Sequence, residues 1–287
     1  MNISEPTIVE DMTNECYHRR VRGMAGDERQ PMLSVSGIKE LSKSPMHFRH
    51  LMDHPKDPTP AMQIGTVFHA LTLEPDTINE VMAVAPAVDR RTKAGKAAWA
   101  DFQESLGDRI AVKPDDFEKI QRMALAVHQH PEAAELLGLP GMTEVSVFWT
   151  DYRGFWCKCR PDRLTEDGVI IDLKSTDDAS PEGFARACAK YKYHWQAAWY
   201  LAGLTGVTRA AHRDFRLIAV EKDPPYGVGV YRMPQVYTDI ALEQMWPLLD
   251  EYARCLKANR WPGYSDQTEI IQMPVWALKT EQYREVA

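Results

Sequence analysis

The sequence predicts an α/β protein whose first half is mainly helical, and three observations carry that prediction. Capping residues and apolar spacing of three to four recur from about residue 34 to 140; the period then changes to two from Glu144; and helical and strand patterns alternate from Val169 onward. With 287 residues and 44% hydrophobic content, the chain can bury a substantial core, which argues against disorder.

Taken in order, residues 1–31 carry Asp, Glu, Arg and Asn with little apolar periodicity. They are expected to form a flexible arm, mobile or loosely docked, which includes the basic run His18-Arg19-Arg20-Val21-Arg22. Ser36 is placed to cap a helix over Gly37 to Leu41, and Ser44 caps a second that begins with Pro45 and runs from Met46 to Met52. Pro55, Pro58 and Pro60 break the chain before a third helix, roughly Met62 to Leu73. Further helices are expected over Lys93 to Leu106 and from Pro114 toward His128.

The strand pattern begins with Glu144 to Trp149, turns at Asp151-Tyr152-Arg153-Gly154 and returns through Phe155 to Cys159. Val169 to Leu173 is apolar on both faces except for one carboxylate, as a central strand would be. Ser180-Pro181 opens another helix, an aromatic one covers Tyr193 to Leu204, strands follow over Asp214 to Glu221 and Val228 to Met233, and Thr238 to Lys257 closes as an amphipathic helix. Residues 32–287 therefore read as one domain, with a helical part over 34–140, a sheet core over 141–235 and a C-terminal helix and tail over 236–287.

Charge and cysteine content narrow the function. A formal net charge of −7 repels phosphate as a whole, so any nucleic acid must be held by local basic patches or by metal ions. Five cysteines, an odd number, without an apolar leader favour a reducing cytoplasm. The Cys157-Lys158-Cys159 spacing lacks the x₂ step of a zinc site and suits buried strand thiols. No apolar run approaches the ~20 residues that a bilayer requires.

The stretch that carries chemistry is Pro161-Asp162 followed by Asp172-Leu173-Lys174. Strand alternation puts Asp172 and Lys174 on one face, where a carboxylate and an ammonium are costly unless paired with each other or committed to a metal. An ordinary strand-end salt bridge satisfies the first condition. Metal-dependent phosphodiester hydrolysis satisfies the second, with carboxylates as hard ligands and a lysine beside the attacking water. His69 lies in a helical segment, and Gln196 and Tyr200, four apart, share one helical face; each alone is more readily a core or surface residue.

Together, Gly65-x-x-x-His69, Pro161-Asp162, Asp172-Leu173-Lys174 and Gln196-x-x-x-Tyr200, in this order, resemble the PD-(D/E)xK nuclease superfamily in its RecB-like branch. A closer resemblance is to the RecE family, the nuclease domain of exonuclease VIII. It is carried by Gly65 to Pro75, Cys157 to Asp162, Ile171 to Thr176, Tyr193 to Tyr200 and Arg260-Trp261-Pro262, and spans about residues 34 to 278. The resemblance implies a restriction-endonuclease-like core, a mixed central sheet flanked by helices, behind the helical N-terminal portion. It also implies a Mg²⁺-dependent (Mn²⁺ possible) 5′→3′ exodeoxyribonuclease acting on ends of double-stranded DNA. Such an enzyme leaves 3′ overhangs for a RecT-like annealing protein in phage-type recombination and forms a homo-oligomeric ring, trimer or tetramer.

Carried over by residue, the metal ligands would be His69, Asp162, Asp172 and the backbone carbonyl of Leu173, with Lys174 beside the attacking water. Gln196 and Tyr200 would support the ligands or position the strand, and Glu144 would be an accessory acid or, equally, a solvated strand-end glutamate. Arg90, Arg91, Lys93 and Lys96, in a loop leading into a helix, together with Arg160, would meet the DNA backbone, unless they are simply solvated surface. Cys16 and Cys255 without a C-terminal cysteine cluster imply no iron–sulfur cluster. A Cas4-like or restriction-type endonuclease on the same fold, and a catalytically silent DNA-binding module, are the competing readings.

Overall fold

A computed structural model describes residues 3–10, 12–13, 16–17, 32–274 and 277. The first helices are α1 (Val35–Leu41), α2 (Pro45–Asp53) and α3 (Pro60–Leu73). Ser44 caps α2 as expected, its Oγ accepting from the His47 N–H at 3.3 Å. The cap of α1 is Ser34 rather than Ser36, because Ser34 is the extended residue three positions before the free N–H of Gly37. Beyond a short 3₁₀ turn lie α4 (Ile78–Val81) and strand β2 (Met82–Val84), which pairs in parallel with β3 (Ile110–Val112) across α5 (Lys93–Leu106). Helices α6 (Pro114–Gln129) and α7 (Pro131–Gly138) complete the helical half.

The sheet region holds β4 (Gly141–Thr143), β5 (Ser146–Thr150), β6 (Trp156–Cys159), β7 (Arg163–Thr165) and β8 (Ile170–Thr176). Helices α8 (Pro181–Tyr191) and α9 (Tyr193–Thr208), strands β9 (Phe215–Glu221) and β10 (Val228–Arg232), and α10 (Gln235–Ala258) follow. Five strands form a mixed sheet in the order β10-β9-β8-β7-β4, in which β8 and β9 run parallel and the other pairs antiparallel. The β5–β6 hairpin forms a second, antiparallel sheet with β1 (Thr7–Val9) on its edge.

The expected flexible arm is corrected in part by that strand. Thr7–Val9 pairs with Ser146–Phe148, and Ile3, Met12 and Tyr17 are buried with Phe148, because these apolar side chains cover a hairpin face that would otherwise stay in water. The basic run of Arg19, Arg20 and Arg22 lies outside the described residues.

Strand alternation divides the core. Ile170, Phe215, Leu217 and Ala219 face α9 and α10, whereas Ile171, Leu173, Ile218 and Val220 face the layer containing Val67, Phe68, Ile120 and Met123 of α3 and α6. The late Trp261 stacks on Phe48 at 5.4 Å and Pro262 accepts from the Met46 N–H at 3.0 Å, fastening the chain beyond α10 to α2. The cysteines are all free; Cys157 and Cys159 are buried as expected of structural thiols, and Cys16 is exposed.

Candidate active site

The site forms where β7 stops short. Arg163 pairs with Ile171, and the residue that this register would set opposite Leu173 is Pro161, which has no N–H, so the β8 backbone beyond Ile171 loses its neighbour. Asp162 fills the gap with its side chain: Oδ2 accepts from the Leu173 N–H at 2.7 Å. Because the N–H and C=O of one strand residue point the same way, the Leu173 carbonyl opens onto that side too.

His69, from α3, lies with Nδ1 3.5 Å from Asp162 Oδ2. Glu144 comes from the link between β4 and β5, where it holds φ 51°, a left-handed conformation that few residues other than glycine adopt. Its N–H donates to the Asp162 carbonyl at 2.9 Å, which ties the strained residue to the Pro161-Asp162 turn. Ligand atoms of His69, Glu144 and Asp162 all lie within 4.8 Å of one another.

Asp172 and Lys174 do share one face, the α9 side. Asp172 is fully buried, with Oδ1 accepting from Gln196 Nε2 at 2.7 Å. Its Oδ2 lies against the Lys174 ammonium without an aligned hydrogen bond. Asp172 is therefore set beside the three-ligand cluster, while Glu144 stands in it.

The electrostatics describe three carboxyls crowded into a site where burial opposes their ionisation. Burial, reinforced by Asp162, pushes the Glu144 carboxyl up to about 7 despite Arg160. Burial likewise raises Asp172 to about 6, against the pull of Lys174. Burial opposes ionisation of Asp162 as well, but His69 and Lys174 outweigh it and hold that carboxyl low. For His69 and Lys174 the neighbouring carboxylates overcome burial, so both are raised. Carboxylate oxygens and an imidazole nitrogen converging in this way suit a divalent cation, whose charge would favour the ionised forms of Glu144 and Asp172 that burial opposes.

The other expected residues divide. Gln196 acts on Asp172, as a supporting residue would. Tyr200 is buried against Phe215 at 6.2 Å, and burial raises its phenol, with Asp172 and Asp162 near enough to add to the effect. Arg160 does not face outward: Nε is 2.9 Å from Glu144 Oε2, and Nη2 donates to the Met12 carbonyl at 2.9 Å. A strand-end arginine next to a half-buried glutamate gains more from that pair than from solvent, and nothing in the spacing marks it. Arg91 pairs with Asp89 at 3.0 Å and Arg90 covers the Trp99 ring at 4.4 Å, while Lys93 and Lys96 are exposed at the start of α5.

Residues 34–274 match the family described as a PDDEXK-like domain of unknown function, DUF3799. The chain belongs to this family. The crystal structure of a "Putative exonuclease" from Eubacterium rectale superposes on it with a TM-score of 0.62 at 12% identity, covering 95% of this chain and 100% of that one, and shows a common fold. The crystal structure of SSO0001 reaches a TM-score of 0.33 at 11% identity, covering 83% of this chain and 86% of that one, and carries no argument. No curated protein matches the sequence. The PDDEXK-like assignment agrees with the superfamily resemblance carried by His69, Asp162, Asp172 and Lys174. Among the described residues, no helix is long and apolar enough to cross a membrane.

Proposed function

We propose that this DUF3799 protein is a metal-dependent DNA nuclease, and that it acts as a RecE-like 5′→3′ exodeoxyribonuclease on ends of linear duplex DNA. The observation that carries the reading is the convergence of His69, Glu144 and Asp162 beside the buried Asp172–Lys174 pair. His69, Glu144 and Asp162 would hold Mg²⁺ or Mn²⁺, with Asp172 and the Leu173 carbonyl as further donors. Bound there, the ion supplies Lewis acidity to the scissile phosphate and lowers the pKa of an attacking water.

The chain's own residues do the remaining work. Gln196 fixes the Asp172 carboxylate, and Asp172 in turn holds the Lys174 ammonium charged and in place. Lys174 offers a compact positive charge where negative charge develops on the phosphate, a contribution realised in the transition state. A RecT-like annealing partner, a ring-shaped homo-oligomer and a cytoplasmic role in recombination belong to the same proposal.

The test is digestion of linear duplex carrying 5′ or 3′ labels, with closed circular duplex alongside. Early release of the 5′ label, accumulating 3′ tails and intact circles are expected in Mg²⁺ or Mn²⁺, with label release and tail formation both lost in Asp172→Ala. Linearisation of closed circles at a comparable rate would replace the exonuclease by an endonuclease, and full digestion by Asp172→Ala would remove the site assignment.

A further inference from the structure

Between α8 and α9, on the side of the sheet that Lys174 faces, the chain builds a surface for which the site chemistry has no use. Lys192 turns the corner in the left-handed conformation, φ 53° and ψ 50°, and thereby sets Tyr191 and Tyr193 side by side, rings 5.7 Å apart and 26° from parallel. A non-glycine residue held at positive φ persists only where its surroundings require it. Lys190 lies 5.1 Å from the Tyr191 ring. Lys39, from α1, and Lys174 approach the Tyr193 ring at 5.9 and 5.0 Å. Lys192 covers the Trp195 ring at 3.9 Å and donates to Ser42 Oγ at 3.0 Å.

What distinguishes this cluster is that its outer lysines form no close ion pair. Among the described residues, the recorded ion pairs commit Lys43 to Glu40 and Lys222 to Asp177, and none involves Lys39, Lys190 or Lys192. Burial, with Lys174 and Lys192 nearby, lowers Lys39 to about 8, because burial and the neighbouring ammonium groups outweigh the pull of Asp172. In a chain of net charge −7, clustered positive charge outside any ion pair, beside a buried acidic site, is a local inversion of the field. Tyr191, 48% exposed, leaves an aromatic surface in the middle of it. Cations that track phosphates around an aromatic ring on which a base can stack are the elements of a single-strand nucleic-acid site.

We propose that Lys39, Lys190 and Lys192, with Tyr191, form the subsite that holds a single-stranded stretch of DNA as it enters or leaves the metal centre. The inference rests on the nuclease reading and replaces Arg160, and the α5 group of Arg90, Arg91, Lys93 and Lys96, as the main backbone contact. Lys174 and Tyr193 connect the subsite to the chemistry, since both the inner and the outer lysine pack on one ring.

The experiment measures binding of fluorescein-labelled dT12 to the full chain in Ca²⁺, from low to moderate salt, and in parallel digestion of DNA in Mg²⁺. For Lys39→Glu/Lys192→Glu the affinity is expected to fall more than tenfold, and the slope of log K against log salt to shrink by about 1.4, roughly 0.7 for each lost phosphate contact. Tyr191→Ala is expected to weaken binding at least about fivefold without changing the slope. Unchanged affinity and slope in the lysine double variant would overturn the subsite. So would failure of the unsubstituted protein to bind dT12, or a larger loss from Arg91→Glu/Lys93→Glu. Lysine-dependent binding without any digestion in Mg²⁺ or Mn²⁺ would support the subsite and overturn the nuclease reading instead.

Discussion

Replacing Lys158 by Met should make stability respond differently to pH, and the structure sets the size of the effect. Lys158 lies in the middle of β6, 2% exposed, with Nζ donating to the Tyr17 carbonyl at 2.6 Å and lying 4.0 Å from the Tyr17 ring centre. Burial, helped by Arg160, lowers its pKa from 10.5 to about 7. A lysine whose folded pKa is depressed makes the native state bind fewer protons than the unfolded chain between those two values. Stability from this group therefore rises as pH increases from about 7 toward 10.5, and the full penalty is felt below 7. At 1.36 kcal/mol per unit, the shift caps the penalty at about 5 kcal/mol, of which about 2 kcal/mol is relieved between pH 7 and 9.

Met removes that penalty but also removes a charged donor worth about 1.5–3 kcal/mol and leaves the Tyr17 carbonyl without it. The two effects oppose each other at pH 7, so the absolute stability of the variant decides little. The pH dependence of the difference decides more, because the other titrating groups are common to both proteins. Denaturant unfolding of both at pH 7, 8 and 9 should show the wild type gaining about 2 kcal/mol on Lys158→Met across that range. A difference that stays constant with pH would refute the reasoning and place the ammonium in water.

Two further outcomes follow from the site. Lys174→Ala should lower single-turnover cleavage by about 10²–10³-fold while DNA affinity in Ca²⁺ changes little; a variant that melts lower but cleaves normally would show a salt bridge and no role in the chemistry. Calorimetry should find that Asp162→Asn loses most of the Mg²⁺ or Mn²⁺ affinity. In the wild type affinity should rise with pH up to about 7, because the proton favoured by burial on Glu144 must leave before a cation binds; pH-independent binding would exclude Glu144 as a ligand.

The parts of this protein legible in its sequence are those that physical regularity repeats. Ser44-Pro45 marks the start of α2, the helical pattern from Lys93 to Leu106 coincides with α5, and strand alternation puts Asp172 and Lys174 on one face. Strands β2, β3, β4 and β7 have three residues each, fewer than a period of two needs in order to show. Within the site, Asp162 is visible as a motif, but its bond to the Leu173 N–H depends on β7 pairing with β8 no further than Arg163. The admission of Glu144 to the ligand cluster depends on a left-handed φ, which no spacing rule encodes for a glutamate.

The same reasoning explains why β6 and the N-terminal segment belong to the site. Lys158 and Arg160 point into protein, and the strands beside them offer no side-chain anion except Glu144. Main-chain carbonyls of Tyr17 and Met12 supply the remaining acceptors, and β1 holds that segment against β5. Arg160 thus links three things: the Met12 carbonyl, the Tyr17 ring 5.4 Å away, and the carboxylate of Glu144. The guanidinium offsets part of the charge that Asp162 and burial press on Glu144, and its fixed fork restricts where that carboxylate can sit. An arm that reads as a polar tail in the sequence is, through those carbonyls, part of what holds an acidic ligand in a strained backbone conformation next to Asp162.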